Sequence, residues 1–414
     1  MHLSDVPIVF VLVGLGLYAV LGGADFGAGV WQLLARGPNA TRVRDHAHHS
    51  MAPVWEANHV WLIFVLTVMW TAYPLALGSI ASTLAVPLFI AGIGIVFRGA
   101  AYALRAGTGS RRELRGIDLA FSISSVITPF ALGTMIGAIA ARRVPVGNAA
   151  GSLLGSWTGT LPIVIGVLFV VSGSYLAAVY LAADAARHGE TYLAEAFRSR
   201  ALFAGGLAGA VAVAGLVVVH GDAHFLYRGL IDGDGLPAVI VSALAGIATL
   251  RLVWHRRFEL ARFSAALAVA AMITGWALAQ QPLLLPGLTI HQAAAGHDTL
   301  VAVIVAVIAG GAILFPSLAL LFRLVLTGHL DAGAKTVPVV VSPGAVLSAS
   351  TTGIATRSAV ALFVAAIGFL TLADAPWAHA IGVFCLFGFG TTGFVALAPW
   401  HTAAASDGSH AQRR

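Results

Sequence analysis

Charge is scarce in this sequence: Asp, Glu, Lys and Arg make up 10% of the 414 residues, against about 25% in a soluble globular domain. Hydrophobic residues account for 59%, and mean hydropathy is +0.91. So few charges cannot cover a water-facing surface, which excludes an ordinary soluble fold. Cysteine is nearly absent too. Cys385 stands alone, which excludes an intrachain disulfide and a cysteine-rich metal site, and it reads as a small apolar residue in a helix. No nucleotide-phosphate loop, CxxC pair, haem-attachment motif or nucleophile elbow is present. The formal charge of +6 comes from loop arginines, with no basic patch interleaved with aromatics. It reflects topology and anionic lipid rather than nucleic acid. The start of the chain lacks a basic n-region and a small-residue cleavage site, and its first apolar run is too long for a signal peptide. That run is expected to remain as a membrane span.

What the sequence has instead is long apolar runs. At least eight reach the ~18–20 residues needed to cross a hydrocarbon core of about 30 Å. Without water to satisfy free backbone groups they must be helices or closed barrels, and the absence of period-2 alternation favours helices. The expected spans are Ile8–Leu34, Val54–Leu77, Gly78–Leu104, Ile117–Ala141, Thr160–Ala186, Ala201–Val219, Pro237–Val253, Phe263–Leu284 and Thr299–Leu326. A polar, Pro-containing connection at Thr327–Thr356 precedes two further spans, Ser358–Leu372 and Trp377–Ala398, and a polar, disordered tail at Ala403–Arg414. Arginines crowd the odd-numbered loops: Arg36, Arg42 and Arg44, then Arg105, Arg111, Arg112 and Arg115, then Arg187, Arg198 and Arg200, then Arg256, Arg257 and Arg262. Even-numbered loops hold only Arg142, Arg143 and Arg228, and the one around Gly221–Gly235 is acidic. The positive-inside rule then puts the odd loops in the cytoplasm and the N-terminus outside.

Polar residues inside such spans are costly and are functional candidates by default. Asp25, in GGADFGAG, lies eleven residues before Arg36, roughly 16 Å above the cytoplasmic end of the first span at 1.5 Å per residue. A carboxylate at that depth is either neutralised or paired. It reads equally as a proton-relay group and as a structural partner of an arginine or an indole N–H. The glycines around it allow close packing or a water file. Glu56, Asn58 and His59 cluster in PVWEANHVWLI at the mouth of the second span. Glu56 suits a first-turn position after Pro53, where the helix dipole favours an anion. It shares a face with His59 at i, i+3, at a depth comparable to that of Asp25. A lone histidine near an apolar face is more often a hydrogen-bonded core residue than an axial haem ligand. Arg98 in the third span either snorkels or pairs with an acid such as Asp118. The HxHH of His46, His48 and His49 is a weak metal signal, and a solvated loop is the better reading. These residues describe a polytopic membrane protein with buried carboxylates. A proton-handling complex, a proton-coupled secondary transporter and a purely structural scaffold all remain open.

Four motifs, in order, resemble subunit II of cytochrome bd-type quinol oxidases, the cyanide-insensitive group included. They are ADFGAG, then SMAPVWEANHVWLI followed by AYP, then FRGAAYALR, then IDLAFSISSVITPFALG. SGSYLA and FPSLALLFR extend the resemblance to about residue 330. It implies an all-α polytopic membrane protein with nine transmembrane helices, two four-helix bundles plus a peripheral helix, here with two extra C-terminal spans. The implied domain covers residues 1–330, the extra spans and their connection 331–402, and the tail 403–414. The resemblance further implies a haem-free second subunit of a quinol:oxygen oxidoreductase in a bacterial plasma membrane, not catalytic alone. It would support assembly, cytoplasmic proton delivery and, in some members, oxygen access or a structural quinone. Haems b and d belong to the partner subunit I, quinol and O2 are the substrates of the complex, and a small accessory subunit is a further partner. By matching positions, Asp25 and Glu56 are the proton-transfer candidates, with Asn58, His59, Arg98 and Asp118 as a supporting polar cluster. Ala103 departs from the pattern, standing where some relatives carry an acid.

Overall fold

The computed structural model describes residues 2–51, 55–105, 111–326, 358–359, 361–366 and 376–397. It is helical almost throughout, as unbroken apolar runs demand. The first span is Val6–Leu17 (α1), a π turn at Tyr18–Gly22, and Gly23–Leu34 (α2). A short amphipathic helix, Ala40–Met51 (α3), follows where a solvated loop is expected from sequence. Then come Trp55–Ala72 (α4), Pro74–Thr83 (α5), Ala85–Arg105 (α6) and Arg111–Ala140 (α7). The second half holds Thr160–Arg187 (α8), Thr191–Asp222 (α9), His224–Ile231 (α10), Leu236–Trp254 (α11) and Phe258–Gln280 (α12). A small hairpin pairs Leu283–Leu285 (β1) with Leu288–Thr289 (β2), ahead of Ile290–Ala293 (α13) and His297–Leu326 (α14).

Eight helices among the described residues are long and apolar enough to cross a membrane, and α4 adds a shorter apolar helix. The expected second and third spans meet differently from the sequence reading. The chain breaks at Tyr73–Pro74, and α5 is a separate helix before α6. Pro74 has no N–H to continue α4 and takes the first-turn position of the next helix instead. The Tyr73 side chain is fully buried there, its hydroxyl donating to Ser4 O at 2.5 Å.

Two groups of helices pack together around three clusters of buried apolar residues among the described residues. In the first, α1 packs on α4, α2 on α7 and α7 on α6; in the second, α8 packs on α9 and α11 on α12. They join where α8 lies against α2 and α7, and where α12 meets α1 and α8. Burial separates centre from periphery: 56% of the apolar window of α8 is buried against 6% for α14. The first, fifth and seventh loops share one face. Arg42 pairs with Glu190 at 2.7 Å and Asn39 donates to the Tyr192 hydroxyl at 2.9 Å, tying the first loop to the fifth. Arg187 reaches Glu259 at 2.7 Å and Arg256 reaches Glu195 at 2.5 Å, tying the fifth to the seventh. The opposite face carries the hairpin, the His2–His291 ring contact and the bond from Ala295 N–H to Ala72 O.

Packing separates the chain into Met1–Leu318 and Ala319–Arg414. In the second unit, residues 358–359 and 361–366 are helical and Pro376–Leu397 forms α15, with the Phe363 and Phe389 rings 4.9 Å apart. The expected disordered tail, Ala403–Arg414, lies outside the described residues.

Candidate functional site

Asp25 sits in the first turn of α2, immediately after the π turn, and its side chain is fully buried. A π turn adds a residue without a compensating bond in the i→i+4 ladder, which leaves carbonyls for other donors and often marks a functional site. Asn58, buried on α4, donates its Nδ2 to Leu21 O in that turn at 3.2 Å. The motif asparagine therefore stabilises the backbone one turn before the aspartate.

The partner of Asp25 is Arg98 on α6. Its Nη2 lies 2.5 Å from Asp25 Oδ1 and also donates to Asp25 O at 2.7 Å. Nη1 donates to Ser125 Oγ on α7, and that hydroxyl donates in turn to Phe121 O at 2.6 Å. Three helices therefore converge on one guanidinium, which is fully buried. Its planar fork serves two helices at once, which a lysine ammonium cannot do. Aromatic faces enclose it: Phe121 at 4.1 Å, Phe26 at 5.0 Å and Tyr102 at 5.8 Å from the guanidinium carbon. Arg98 thus neither snorkels nor pairs with Asp118, because its stem points into the bundle, where Asp25 is nearer. Asp118 lies half-buried in the early turns of α7.

The glycines of GGADFGAG have separate tasks. A Cβ on Gly27 would collide with the Gly173 backbone of α8. One on Gly29 would collide with the Ser125 side chain and come within 3.2 Å of Arg98 Nη1. Gly27 lets α8 approach, and Gly29 makes room for the hydroxyl and the guanidinium. Trp31, one turn on, donates its indole N–H to Ser174 O at 2.8 Å and holds α2 to α8.

The pair is not closed. Asp25 Oδ2 and Arg98 Nε have no hydrogen-bond partner among the described residues, and neither do the buried Tyr18 hydroxyl and both amide atoms of Gln32. Asp25, Gly29 and Gln32 fall at i, i+4 and i+7, one stripe of α2 running toward the arginine-rich face. On the other side of Asp25, His59 lies edge-on to Tyr18 at 6.2 Å and to Phe26 at 6.0 Å. His59 is thus half-buried on α4 among aromatic edges. Glu56 belongs to the first turn of α4, and its side chain lies outside the described residues.

Several site residues escaped sequence reasoning. Phe26, Tyr102, Phe121 and Ser125 read as ordinary apolar or small helix residues, yet they form the walls and the third corner of the ion pair. The available signal was spacing, since Phe121 and Ser125 are four apart and share a helix face. Of the α3 histidines, His49 is exposed as expected, but His46 and His48 are half-buried. His46 Nε2 lies 3.1 Å from Leu181 O, and Ser50 Oγ donates to Asp184 Oδ2 at 2.6 Å, both on α8.

A second feature lies toward the opposite face. A cavity of about 170 Å³ opens between α1, α4, α7 and α12, walled by apolar side chains including Leu12, Val65, Met69 and Ile139. Trp276 and Gln280 also line it, and Trp276 Nε1 and Gln280 Oε1 are buried without a partner among the described residues.

A family model described as cytochrome bd terminal oxidase subunit II matches residues 3–325. A putative cytochrome bd menaquinol oxidase subunit II from Bacillus subtilis (strain 168) is 23% identical over 248 residues, 56% of this chain and 67% of that protein. The cytochrome bd-I ubiquinol oxidase subunit 2 of Escherichia coli (strain K12) is 28% identical over 131 residues, 31% of this chain and 34% of that protein. Among solved structures, the bd oxidase from Geobacillus thermodenitrificans matches with a TM-score of 0.62 at 26% identity, covering 79% of this chain and 99% of the matched chain. The family match spans α1 to α14 and takes in the whole Asp25–Arg98–Ser125 site, and the chain belongs to the cytochrome bd terminal oxidase subunit II family.

Proposed function

We propose that this chain is the haem-free subunit of a bd-type quinol oxidase and that Asp25 accepts protons on their way to the oxygen-reducing site of the partner. Family membership favours this over a proton-coupled transporter. The observation that carries the proton role is the half-committed carboxylate. Oδ1 is held by Arg98, while Oδ2 is buried with free lone pairs, one turn from a π turn and in line with Gln32. Arg98 fixes the carboxylate's position and compensates its charge while it is ionised; when a proton arrives, the positive charge left on the site rests on a guanidinium held by Ser125 and enclosed by aromatic faces. With the arginine-rich face in the cytoplasm, the N-terminus is outside and protons enter past α3. Glu56, at the start of α4, is the second carboxylate of this reading, with Asn58 holding the π turn between them.

On this reading the haems b and d that quinol oxidation and O2 reduction require belong to the partner subunit I, as membership of the subunit II family implies. A quinone held within this subunit would lie in the apolar cavity, with Trp276 Nε1 donating to a carbonyl of the oxidised form and Gln280 Oε1 accepting from a hydroxyl of the reduced form. Residues 331–402 lie beyond the oxidase domain and take no part in the proton route. The ion pair also braces α2, α6 and α7, a role in assembly that the complete enclosure of Arg98 supports.

The test is Asp25→Asn in the purified two-subunit complex, an isosteric change that removes the proton site. Quinol-driven oxygen uptake should fall by about 10²-fold, the lower end of what a positioned proton-transfer group contributes. The reduced-minus-oxidised haem spectrum controls for assembly. Unchanged turnover with an unchanged spectrum would refute the proton role.

A further inference from the structure

The histidine run on α3 has no part in the site so far, yet one of its rings reaches that site. His46 turns toward α8 and α9, with its Nε2 3.1 Å from Leu181 O and its ring 5.6 Å from Phe197. His48 turns toward α6 and stacks on Tyr102, ring centroids 5.0 Å apart at 28°, with the Phe121 ring edge-on at 6.2 Å. Tyr102 in turn stands edge-on to Phe121 at 5.0 Å and beside the Arg98 guanidinium, its hydroxyl within electrostatic reach of both Asp25 and Arg98. His48 is therefore one ring away from the buried ion pair. It also touches the outside: His48 is half-buried with Nδ1 inside, and its ring lies 5.8 Å from that of exposed His49.

We propose that His48 is the proton-receiving group at the mouth of the Asp25 site, with Tyr102 as the hydroxyl that passes the proton inward. This rests on the proton role of Asp25. Imidazole takes a proton from bulk water at one nitrogen and releases one from the other. Tyr102 accepts that proton on its hydroxyl oxygen as its own O–H proton leaves for Asp25 Oδ2. One proton enters and one arrives with no net charge left on either ring; the His48 imidazole ends as its other tautomer and returns by proton exchange with bulk water. Histidine suits the entrance because it is the side chain whose charge changes in the physiological pH range. Among the described residues, the rings around His48 are those of His49 on its own helix, Tyr102 on α6 and Phe121 on α7; Asp45 lies one turn earlier on α3, and Arg98 lies beyond Tyr102.

The experiment measures quinol-driven oxygen uptake between pH 6 and 9 in the two-subunit complex, comparing wild type, His48→Phe, Tyr102→Phe and Asp25→Asn. His48→Phe keeps an aromatic ring stacked on Tyr102 and removes only the titratable nitrogens. The expected result is a loss of turnover of about tenfold, smaller than for Asp25 because water also reaches the mouth. The deficit should grow toward alkaline pH, the KM for quinol should be unchanged, and added imidazole should restore part of the rate. A purely structural His48 gives wild-type turnover in His48→Phe, and that outcome overturns the proposal when Asp25→Asn is impaired. If Asp25→Asn is itself unimpaired, it is the proton role of the ion pair that fails. Should His48→Phe fail to assemble, Tyr102→Phe decides: wild-type turnover without the hydroxyl equally overturns the relay.

Discussion

Removing the cation from the Asp25–Arg98 pair isolates the energetic core of the site. Arg98→Met preserves length and apolar volume but leaves the Asp25 carboxylate buried without its cationic donor, while Ser125 Oγ and Asp25 O each lose a bond. Breaking one side of a buried pair costs about 3–5 kcal/mol, because the remaining charge is uncompensated. Both side chains are 0% exposed, so solvent screening does not reduce that figure. Asp25→Leu alone should cost a similar amount, now with a stranded guanidinium. The double variant Asp25→Leu/Arg98→Met replaces the pair by apolar groups, a change that is often neutral or stabilising by about 1–4 kcal/mol. Thermal melting of the purified complex, followed by haem absorbance, should therefore show two destabilised single variants and a double variant near the wild type. The coupling should be several kcal/mol, far outside the about 0.5 kcal/mol within which independent sites add. A double variant that loses the sum of the two single losses, or single variants that melt with the wild type, would refute this reading.

Two smaller perturbations test the scaffold around the pair. Gly29→Ala places a methyl against Ser125 and Arg98 and should destabilise the complex by about 1–3 kcal/mol as overpacking, read as a lower melting temperature. Gly16→Ala, which meets nothing within 4 Å, should leave melting unchanged. Asn58→Leu removes the donor to Leu21 O and should cost about 1–3 kcal/mol for the stranded carbonyl. Faster amide exchange confined to the π turn would confirm the site of damage, whereas uniform exchange throughout α1 and α2 would not.

Much of the fold was legible because bilayer physics leaves few options. Once Thr160–Ala186 is an apolar run, helix is the only open answer, and α8 ends within one residue of that expectation. The break at Tyr73–Pro74 was harder, since apolar residues continue through it and hydropathy cannot see a turn that is itself buried. The site was legible in its expensive members only. Asp25, Arg98 and Asn58 are conspicuous because polarity is costly in a span. The pairing of Asp25 with Arg98 depends on how α2 and α6 are rotated about their axes, and composition does not encode that. Nor does local sequence identify the enclosing rings: Phe26, Tyr102 and Phe121 are polar-site residues only through what they touch. His46 and His48 were misread because a charged segment between spans looks like a loop. It is instead an amphipathic helix lying on α2 and α8.

The double variant also separates two explanations that a single substitution confuses. An apolar pair would hold α2, α6 and α7 together at least as well as Asp25 and Arg98 do, at no desolvation cost. Stability alone therefore does not account for a carboxylate and a guanidinium fully buried among three aromatic rings. What the apolar pair cannot supply is a lone pair at Oδ2, a countercharge beside it, and a rigid fork that keeps the carboxylate in place as it gains and loses a proton. A complex that melts like the wild type yet has lost turnover would show that the ion pair is retained for its chemistry. A complex that melts normally and turns over normally would leave Arg98 as a packing solution that other side chains could replace, and the search for the proton route would move to Glu56.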